Sequence, residues 1–411
     1  MATVLDPPAL TDAAQALAPK LTALRRAIHA EPELGLHNPK TSAKIRAALS
    51  HLPLEWREGP STTGLVATLK GGGSGANPGR SVLLRGDMDA LPMPEETGLD
   101  FASEVAGAMH ACGHDAHVAM LVGAAELLCA QAERLAGEVR FMFQPGEEGW
   151  HGARFMLDDG LLGGVGAEPL PDAAFALHVM PNAPNGLVAG RAGPLLAAAD
   201  RLEITVKGRG GHASMPHQTL DPIPVACEIV MALQAMVTRR FNAADAVVVT
   251  VGRITSGTTN NVIPDSAEIE GTMRTLSPGA RRALRENVTR LAQGIAAAHG
   301  LEAEVTIHEG FPVTICDPRA VDLGAAVTAG LFGPDAFRRL DAPIMGAEDF
   351  AYVLEKVPGA MFFIGVAHDG VDWTSCCGLH STRMVLDEAV MPRGAALLAG
   401  LATQFLTHGF T

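Results

Sequence analysis

The chain has 411 residues, 47% of them hydrophobic and 18% charged, and a formal net charge of −14. That length exceeds the usual span of one hydrophobic core, so two domains are expected, and the acidic balance argues against nucleic acid and anionic membrane as partners. Three Trp and one Tyr are too few for a base-stacking surface. Residues 1–11 show neither a basic nor an apolar leader region, and no apolar run approaches the roughly 20 residues of a membrane helix. The cysteines, at 112, 129, 227, 316, 376 and 377, have no disulfide-framework spacing. The expectation is a reducing cytoplasm with free thiols, in which Cys376-Cys377 is incidental.

In chain order, Leu17, Leu21, Leu24 and Ile28 recur at helical spacing, which predicts one amphipathic helix over 9–30, limited by Pro32. A second helix is expected over 41–52. Short apolar strands follow at 65–69, 82–85, 139–144 and 173–179, with helical patterns at 114–132 and 152–157. The Gly-rich stretch 70–80 reads as a hairpin loop joining the first two strands. Strands alternating with helices predict an α/β sheet covered on both faces. After 186–193 the texture changes: Leu202, Ile204 and Val206 alternate with polar residues, as in a half-buried strand. Asp221-Pro222 opens a helix to about 237, and strands are expected at 246–254 and 267–275. Ser277-Pro278 opens a second helix ending near Gly300, and 302–308 is a last strand. The order β-α-β-β-α-β is the ferredoxin-like pattern. The α/β texture then resumes, with helices at 317–330, 347–354 and 386–406 and a strand at 361–366. The larger domain is therefore discontinuous, 1–192 and 309–411, with 193–308 inserted and two linkers available as hinges.

In such a sheet, sites lie at the carboxyl ends of strands. One strand runs into Gly86-Asp87-Met88-Asp89, another into Pro145-Gly146-Glu147-Glu148-Gly149, and a third ends at His178. Cys112 and His114 flank Gly113, which lets the backbone turn tightly. A thiolate beside an imidazole suits a borderline transition metal, although a histidine-rich turn around one buried cysteine would read the same. The paired glutamates are either a solvated loop or a division of labour, one carboxylate on a metal and the other free as a general base.

Together, MHACGHD, QPGEEG, His178 after a strand, GRGGHASMP, NVIP and AEDF resemble the amidohydrolase branch of the M20 metallopeptidase family, in its order and over roughly residues 25–388. The resemblance implies a zinc-peptidase-like mixed sheet with helices on both faces, and an inserted lid or dimerisation domain. It implies two divalent ions, Mn2+ or Zn2+, held by Cys112, His114, Glu148, His178 and His380, with Glu147 as general base toward a shared water. Asp87 would orient a ligand from behind. In the inserted domain, His212 would stabilise the oxyanion of the tetrahedral intermediate, in its own or a neighbouring subunit's site, while Asn261 and Arg274 would grip substrate. Arginine is a natural bidentate partner for an α-carboxylate. The implied reaction is cleavage of an N-acyl amino acid by a homodimer.

Other residues read more plainly. His110 and His117 frame the turn, with His117 facing solvent or the helix start, and Asp115 caps the helix that follows. His217, His299, His308 and His368 are lone histidines, and Glu348 has a supporting role. The chain departs from the family at Glu31-Pro32-Glu33, at His37-Asn38 and at Ser381, where a second histidine is usual. These bear on packing or substrate preference. A dipeptidase or carboxypeptidase with the same metals is the alternative enzyme, and a non-catalytic metal-binding dimer module the alternative class.

Overall fold

The structure is a computed structural model that describes residues 6–73, 79–163, 169–372, 374 and 377–410. Cys376 and part of the Gly-rich stretch, 74–78, lie outside them. The chain divides into two compact units, one of Met1–Leu195, Ile315–Ala342 and Asp349–Thr411, the other of Leu196–Thr314 and Pro343–Glu348.

The first unit is built on an eight-stranded mixed sheet. Its order is Glu55–Glu58, Leu65–Lys70, Glu138–Gln144, Ser81–Asp87, Ala173–Met180, Gly359–Gly365, Val188–Gly190 and Phe337–Arg339. The central strands Glu138–Gln144, Ser81–Asp87, Ala173–Met180 and Gly359–Gly365 run parallel. Ser81–Asp87 is buried along its whole length, as expected of a strand covered on both faces. Because Glu138–Gln144 lies between Leu65–Lys70 and Ser81–Asp87, the stretch 70–80 joins no hairpin. Both neighbours of that strand come from earlier in the chain, a non-local choice that a turn-like composition does not report. The expected first helix is two, Pro7–Ala16 and Ala18–His29. Pro19 is the reason: it has no N–H to donate back across the junction.

Two helices anchor the site-bearing end. His114–Cys129 is buried on almost its whole circumference, and Met391–His408 is likewise a core helix. They touch so closely that a Cβ on Gly394 would fall 2.0 Å from Met120 Sδ.

The second unit carries the antiparallel sheet Val247–Ser256, Ser266–Thr275, Ala198–Lys207, Glu302–Glu309. Leu202, Ile204 and Val206 point to a core shared with the helices Pro222–Arg240 and Pro278–Ala298, while the intervening residues are less buried. Asp221 and Ser277 cap those helices through Ile223 N–H and Ala280 N–H. Asp200 is bound by Arg281 and Arg285, with its Oδ1 at 2.6 and 2.7 Å from their Nη2 atoms, and by the N–H of Gly310. A separate two-stranded ribbon pairs Gly211–His212 with Val262–Ile263.

Two helical segments, Pro222–Arg240 and Glu388–His408, are long and apolar enough to cross a membrane by length and composition. This corrects the expectation that no run approaches that length. The second is mostly buried among other elements, and the first sets one face into the core of its own unit.

Candidate metal centre

The turn Cys112–His114 depends on Gly113, which sits at φ +82° with the position of a Cβ only 2.4 Å from Val179 Cγ2. Any side chain there would meet both a strained backbone and a filled site. The turn leads straight into the helix, so His114 is pinned at its first residue.

Around it, the side chains that the sequence singles out in this unit come together. Cys112 Sγ is 3.4 Å from His178 Nε2. His114 Nε2 is 3.4 Å from Asp87 Oδ2 and 3.9 Å from Glu148 Oε1, and His380 Nε2 is 3.3 Å from that same oxygen. Two ring orientations are fixed from outside. His114 Nδ1 donates to the carbonyl of Asp89 at 2.8 Å, and His178 Nδ1 to that of Val179 at 2.7 Å, so both rings turn Nε2 toward the cluster. His380 adopts a left-handed backbone, φ +63°, which a non-glycine residue holds only when its neighbours require it. Its N–H donates to Ala111 O at 2.8 Å, tying the late segment to the metal-site turn.

This set fits divalent metal. Among the described residues, the buried atoms His114 Nε2 and Glu148 Oε1 have polar neighbours at 3.3–3.9 Å but no hydrogen bond of good geometry, an arrangement that costs about 1–3 kcal/mol per group unless something else satisfies them. Ligands 2.0–2.3 Å from a shared tetrahedral ion stand roughly 3.3–3.8 Å apart, as do Cys112 Sγ and His178 Nε2 and likewise His380 Nε2 and Glu148 Oε1. Among the described residues, five groups have ligand atoms within 4.8 Å of one another: Cys112, His114 and His178; Cys112, Glu148 and His380; His114, Glu147 and Glu148; Asp87, His114 and His117; and Glu147, Glu348 and Asp349. The charges also ask for a cation. Burial opposes charge on His114, yet Asp87 and Cys112 outweigh it and hold its pKa well above the usual value. Burial raises the Cys112 thiol, whereas it opposes ionisation of Glu148, whose pKa His380 and His114 nevertheless pull down. Burial and the neighbouring His117 keep His178 neutral.

Glu147 is nearly buried, and its backbone is held with unusual economy. Asp89 accepts the N–H of Glu147 on Oδ1 at 2.9 Å and that of Glu148 on Oδ2 at 3.1 Å. One residue thus orients His114 through its carbonyl and both glutamates through its carboxylate. Sequence reasoning passes over this role, although Asp89 stands in the same Asp-x-Asp turn as Asp87.

One sequence expectation is corrected and another holds only in part. His117 does not face solvent; it is buried. Its Nε2 accepts the N–H of Val179 at 2.9 Å, and because an amide can only donate, its proton sits on Nδ1, directed to Asp87 Oδ1 at 2.5 Å. Both nitrogens are occupied, so His117 braces Asp87. Asp115 is not the N-cap residue, which is Gly113, but its Oδ1 does accept a backbone N–H of the helix's first turn, that of Ala116 at 2.9 Å. It is wholly buried and pairs with Arg25 Nε at 2.8 Å and His29 Nδ1 at 2.7 Å, partners that lie 90 and 86 residues away. His29 also reaches Glu95. Burial works against charging His29, yet Asp115 and Glu95 carry its pKa up to about 9. His110 is buried, neither ring nitrogen has a hydrogen-bond partner among the described residues, and burial pushes its pKa down to about 3. His217, His299, His308 and His368 are exposed.

The remaining sequence candidates belong to the second unit. His212 and Asn261 share the ribbon, joined by the N–H of Ala213 to Asn261 O at 3.1 Å. Both side chains are exposed. Ser214 donates its N–H to His212 Nδ1 at 3.2 Å, which leaves the ring proton on Nε2. Arg274 is half-buried, with Nη1 bonded to Thr272 Oγ1 and Met273 O. Burial lowers its pKa, and no carboxylate forms an ion pair with it among the described residues.

Residues 83–404 match Peptidase family M20/M25/M40. The chain belongs to the M20 metallopeptidase family. It is 39% identical to N-acetylcysteine deacetylase of Bacillus subtilis, over 93% of this chain and 96% of the relative. It is 38% identical to IAA-amino acid hydrolase ILR1-like 2 of Arabidopsis thaliana, over 93% and 84%. Thermostable carboxypeptidase 1 of Saccharolobus solfataricus is 37% identical over 93% and 94%. Among solved structures, the YXEP protein of Bacillus subtilis, described as a dinuclear metal binding peptidase from the M20 family, matches with TM-score 0.80 and 36% identity, over 95% of this chain and 99% of that one. This M20 chain is accordingly a hydrolase of amide bonds with a mixed α/β fold.

Proposed function

We propose that this M20 enzyme removes the acyl group from N-acyl amino acids, using two divalent ions, Mn2+ or Zn2+, held by Cys112, His114, Glu148, His178 and His380. The observation that carries the reading is the buried ligand cluster with unpartnered His114 Nε2 and Glu148 Oε1 beside a carboxylate, Glu147, whose loop is fixed by Asp89. Bound there, the ions would supply Lewis acidity toward the scissile carbonyl and lower the pKa of water. Glu147 takes the proton of the attacking water and hands it to the departing nitrogen. His212, with its proton on Nε2, donates to the developing oxyanion. Asn261 and the guanidinium of Arg274 bind the α-carboxylate, and Asp87, braced by His117 and Arg85, backs the ligand cluster from behind, 3.4 Å from His114 Nε2. The relatives that act on N-acetylcysteine and on IAA-amino acids support acyl-amino acids over peptides as substrates.

Residues 193–308 serve as lid and dimerisation domain in this proposal, and the product is a cytoplasmic homodimer. Free Cys129, Cys227 and Cys316 agree with a reducing compartment. A single-chain mass by sedimentation would remove the dimer. Glu147→Gln is the direct test of the chemistry: hydrolysis of N-acetyl amino acids should fall about 10³-fold or more with metal content unchanged. Unaltered turnover would take the base away from Glu147. A second reading, a carboxypeptidase, is favoured by the Saccharolobus relative. Cleavage of dipeptides alone, in a panel with N-acetyl and N-benzoyl amino acids, would select it.

A further inference from the structure

The loop that carries Glu147 and Glu148 is held only lightly by its own residues. Its backbone is left-handed at Gly146 (φ +69°), Gly149 (φ +83°) and His151 (φ +59°). The N–H of Gly152 donates to Gly146 O at 3.0 Å, which closes the loop on itself without fixing it to the sheet. The helix it enters, Gly152–Asp158, starts at His151 with no side-chain cap. Asp89 grips the loop at its middle.

Anchoring of the two ends falls to a residue far along the chain. Asp349 is completely buried. Its Oδ2 accepts the N–H of Ala153 at 2.9 Å, just after the loop, across 196 residues of sequence. Its Oδ1 accepts Gln144 Nε2 at 2.7 Å, at the last residue of the strand before the loop. Arg85 Nη2 reaches Oδ1 as well, at 3.2 Å, while its Nε donates to Gln144 Oε1 at 2.8 Å and its Nη1 to Asp87 Oδ2 at 2.6 Å. The direction of every bond is set, because Gln144 accepts from Arg85 on one atom and donates to Asp349 on the other.

We infer that Asp349 is a positioning residue for the Glu147 loop, holding both of its ends with a single carboxylate and coupling them through Arg85 to Asp87. The inference rests on Glu147 being the general base. A base displaced by a fraction of an ångström loses rate more than it loses substrate affinity. Asp349→Asn puts an amide N–H₂ against at least one of the donors Ala153, Gln144 and Arg85, so the loop ends come loose while His114 and His178 keep the carbonyls that hold their rings and Asp89 still grips the loop's middle.

The test uses the full-length enzyme carrying its metal. Asp349→Asn should lower kcat about 10-fold or more, with KM within about 2-fold and metal stoichiometry retained. Trp150 lies inside the loop and is 56% exposed, so in a Trp56→Phe, Trp373→Phe background its fluorescence anisotropy reports loop motion and should fall in Asp349→Asn. Pairing Asp349→Asn with Gln144→Glu conserves charge and reverses the polarity of the bond between the two positions. The carboxylate introduced at position 144 accepts from Arg85 and from the amide introduced at position 349. This pair should regain most of the lost kcat and anisotropy. A folded Asp349→Asn enzyme with wild-type kcat and anisotropy would overturn the inference, as would a pair no better than the single change. If the single variant does not fold, the pair decides on the same criteria, and its own failure to fold counts against the inference. Full hydrolysis by Glu147→Gln would remove the base reading instead, whereas the anisotropy would still show whether Asp349 holds the loop.

Discussion

The cluster around His114 and the ribbon bearing His212 hold an imidazole in opposite ways. At the cluster the polar atoms are largely out of water, so each needs a named partner, and the atoms left without one, His114 Nε2 and Glu148 Oε1, mark where a ligand belongs. At the ribbon His212 and Asn261 are exposed, their local bonds compete with water, and an unpaired donor there carries no such message. Burial converts a hydrogen-bond inventory into functional evidence; exposure does not.

The sharpest way to break this contrast is His114→Ala. Removing a buried ligand should eliminate at least one ion from the protein and lower hydrolysis about 10³-fold or more, read by elemental analysis beside turnover. Metal content equal to wild type would mean that the orphan atoms were misread. His212→Ala comes next. It should reduce kcat about 10²-fold or more while metal content and melting temperature stay put, since an exposed ring contributes little to folding. A loss of metal in this variant would erase the distinction between the two regions.

The smallest effect tests whether burial alone makes a polar group consequential. Asp200 is buried in the second unit. Burial would raise its pKa, but Arg281 and Arg285 pull it down to about 2. A carboxylate depressed in the folded state stabilises above its unfolded pKa, near 4, and that stabilisation is lost as pH falls from about 4 to about 2. The shift corresponds to about 2 kcal/mol, so Asp200→Asn should flatten the urea-measured stability profile across that window by about that amount. An unchanged acid limb would show that the two arginines do not act on Asp200 as their geometry indicates.

Much of the site was legible because its residue types are chemically unusual. A cysteine and a histidine around a glycine, adjacent glutamates between glycines, and a histidine ending an apolar strand each narrow the chemistry before any fold is known. The alternation at Leu202, Ile204 and Val206 likewise reported a strand with one face in a core, and Pro19 could have reported the helix break had it been weighed. What escaped was whatever depends on partners far along the chain. Asp115 meets the N–H of Ala116 as its local position allows, but its charged partners, Arg25 and His29, lie 90 and 86 residues before it. His117 looked solvent-facing until Val179 and Asp87 closed on it from two strands.

The sequence by itself determined which metal-ligating side-chain types the cluster could offer, the catalytic carboxylate candidates and the alternation of elements, because these follow from side-chain chemistry and short-range periodicity. Only the tertiary structure decided which carboxylate serves which neighbour: Asp89 for the backbone of the glutamates, Asp349 for the ends of their loop, Asp87 for His117. It also placed Glu138–Gln144 between two earlier strands and returned Pro343–Glu348 to the second unit. The physical reason is common to all of these. A buried charge or amide must be satisfied by whatever the fold brings near it, and the sequence does not record that proximity.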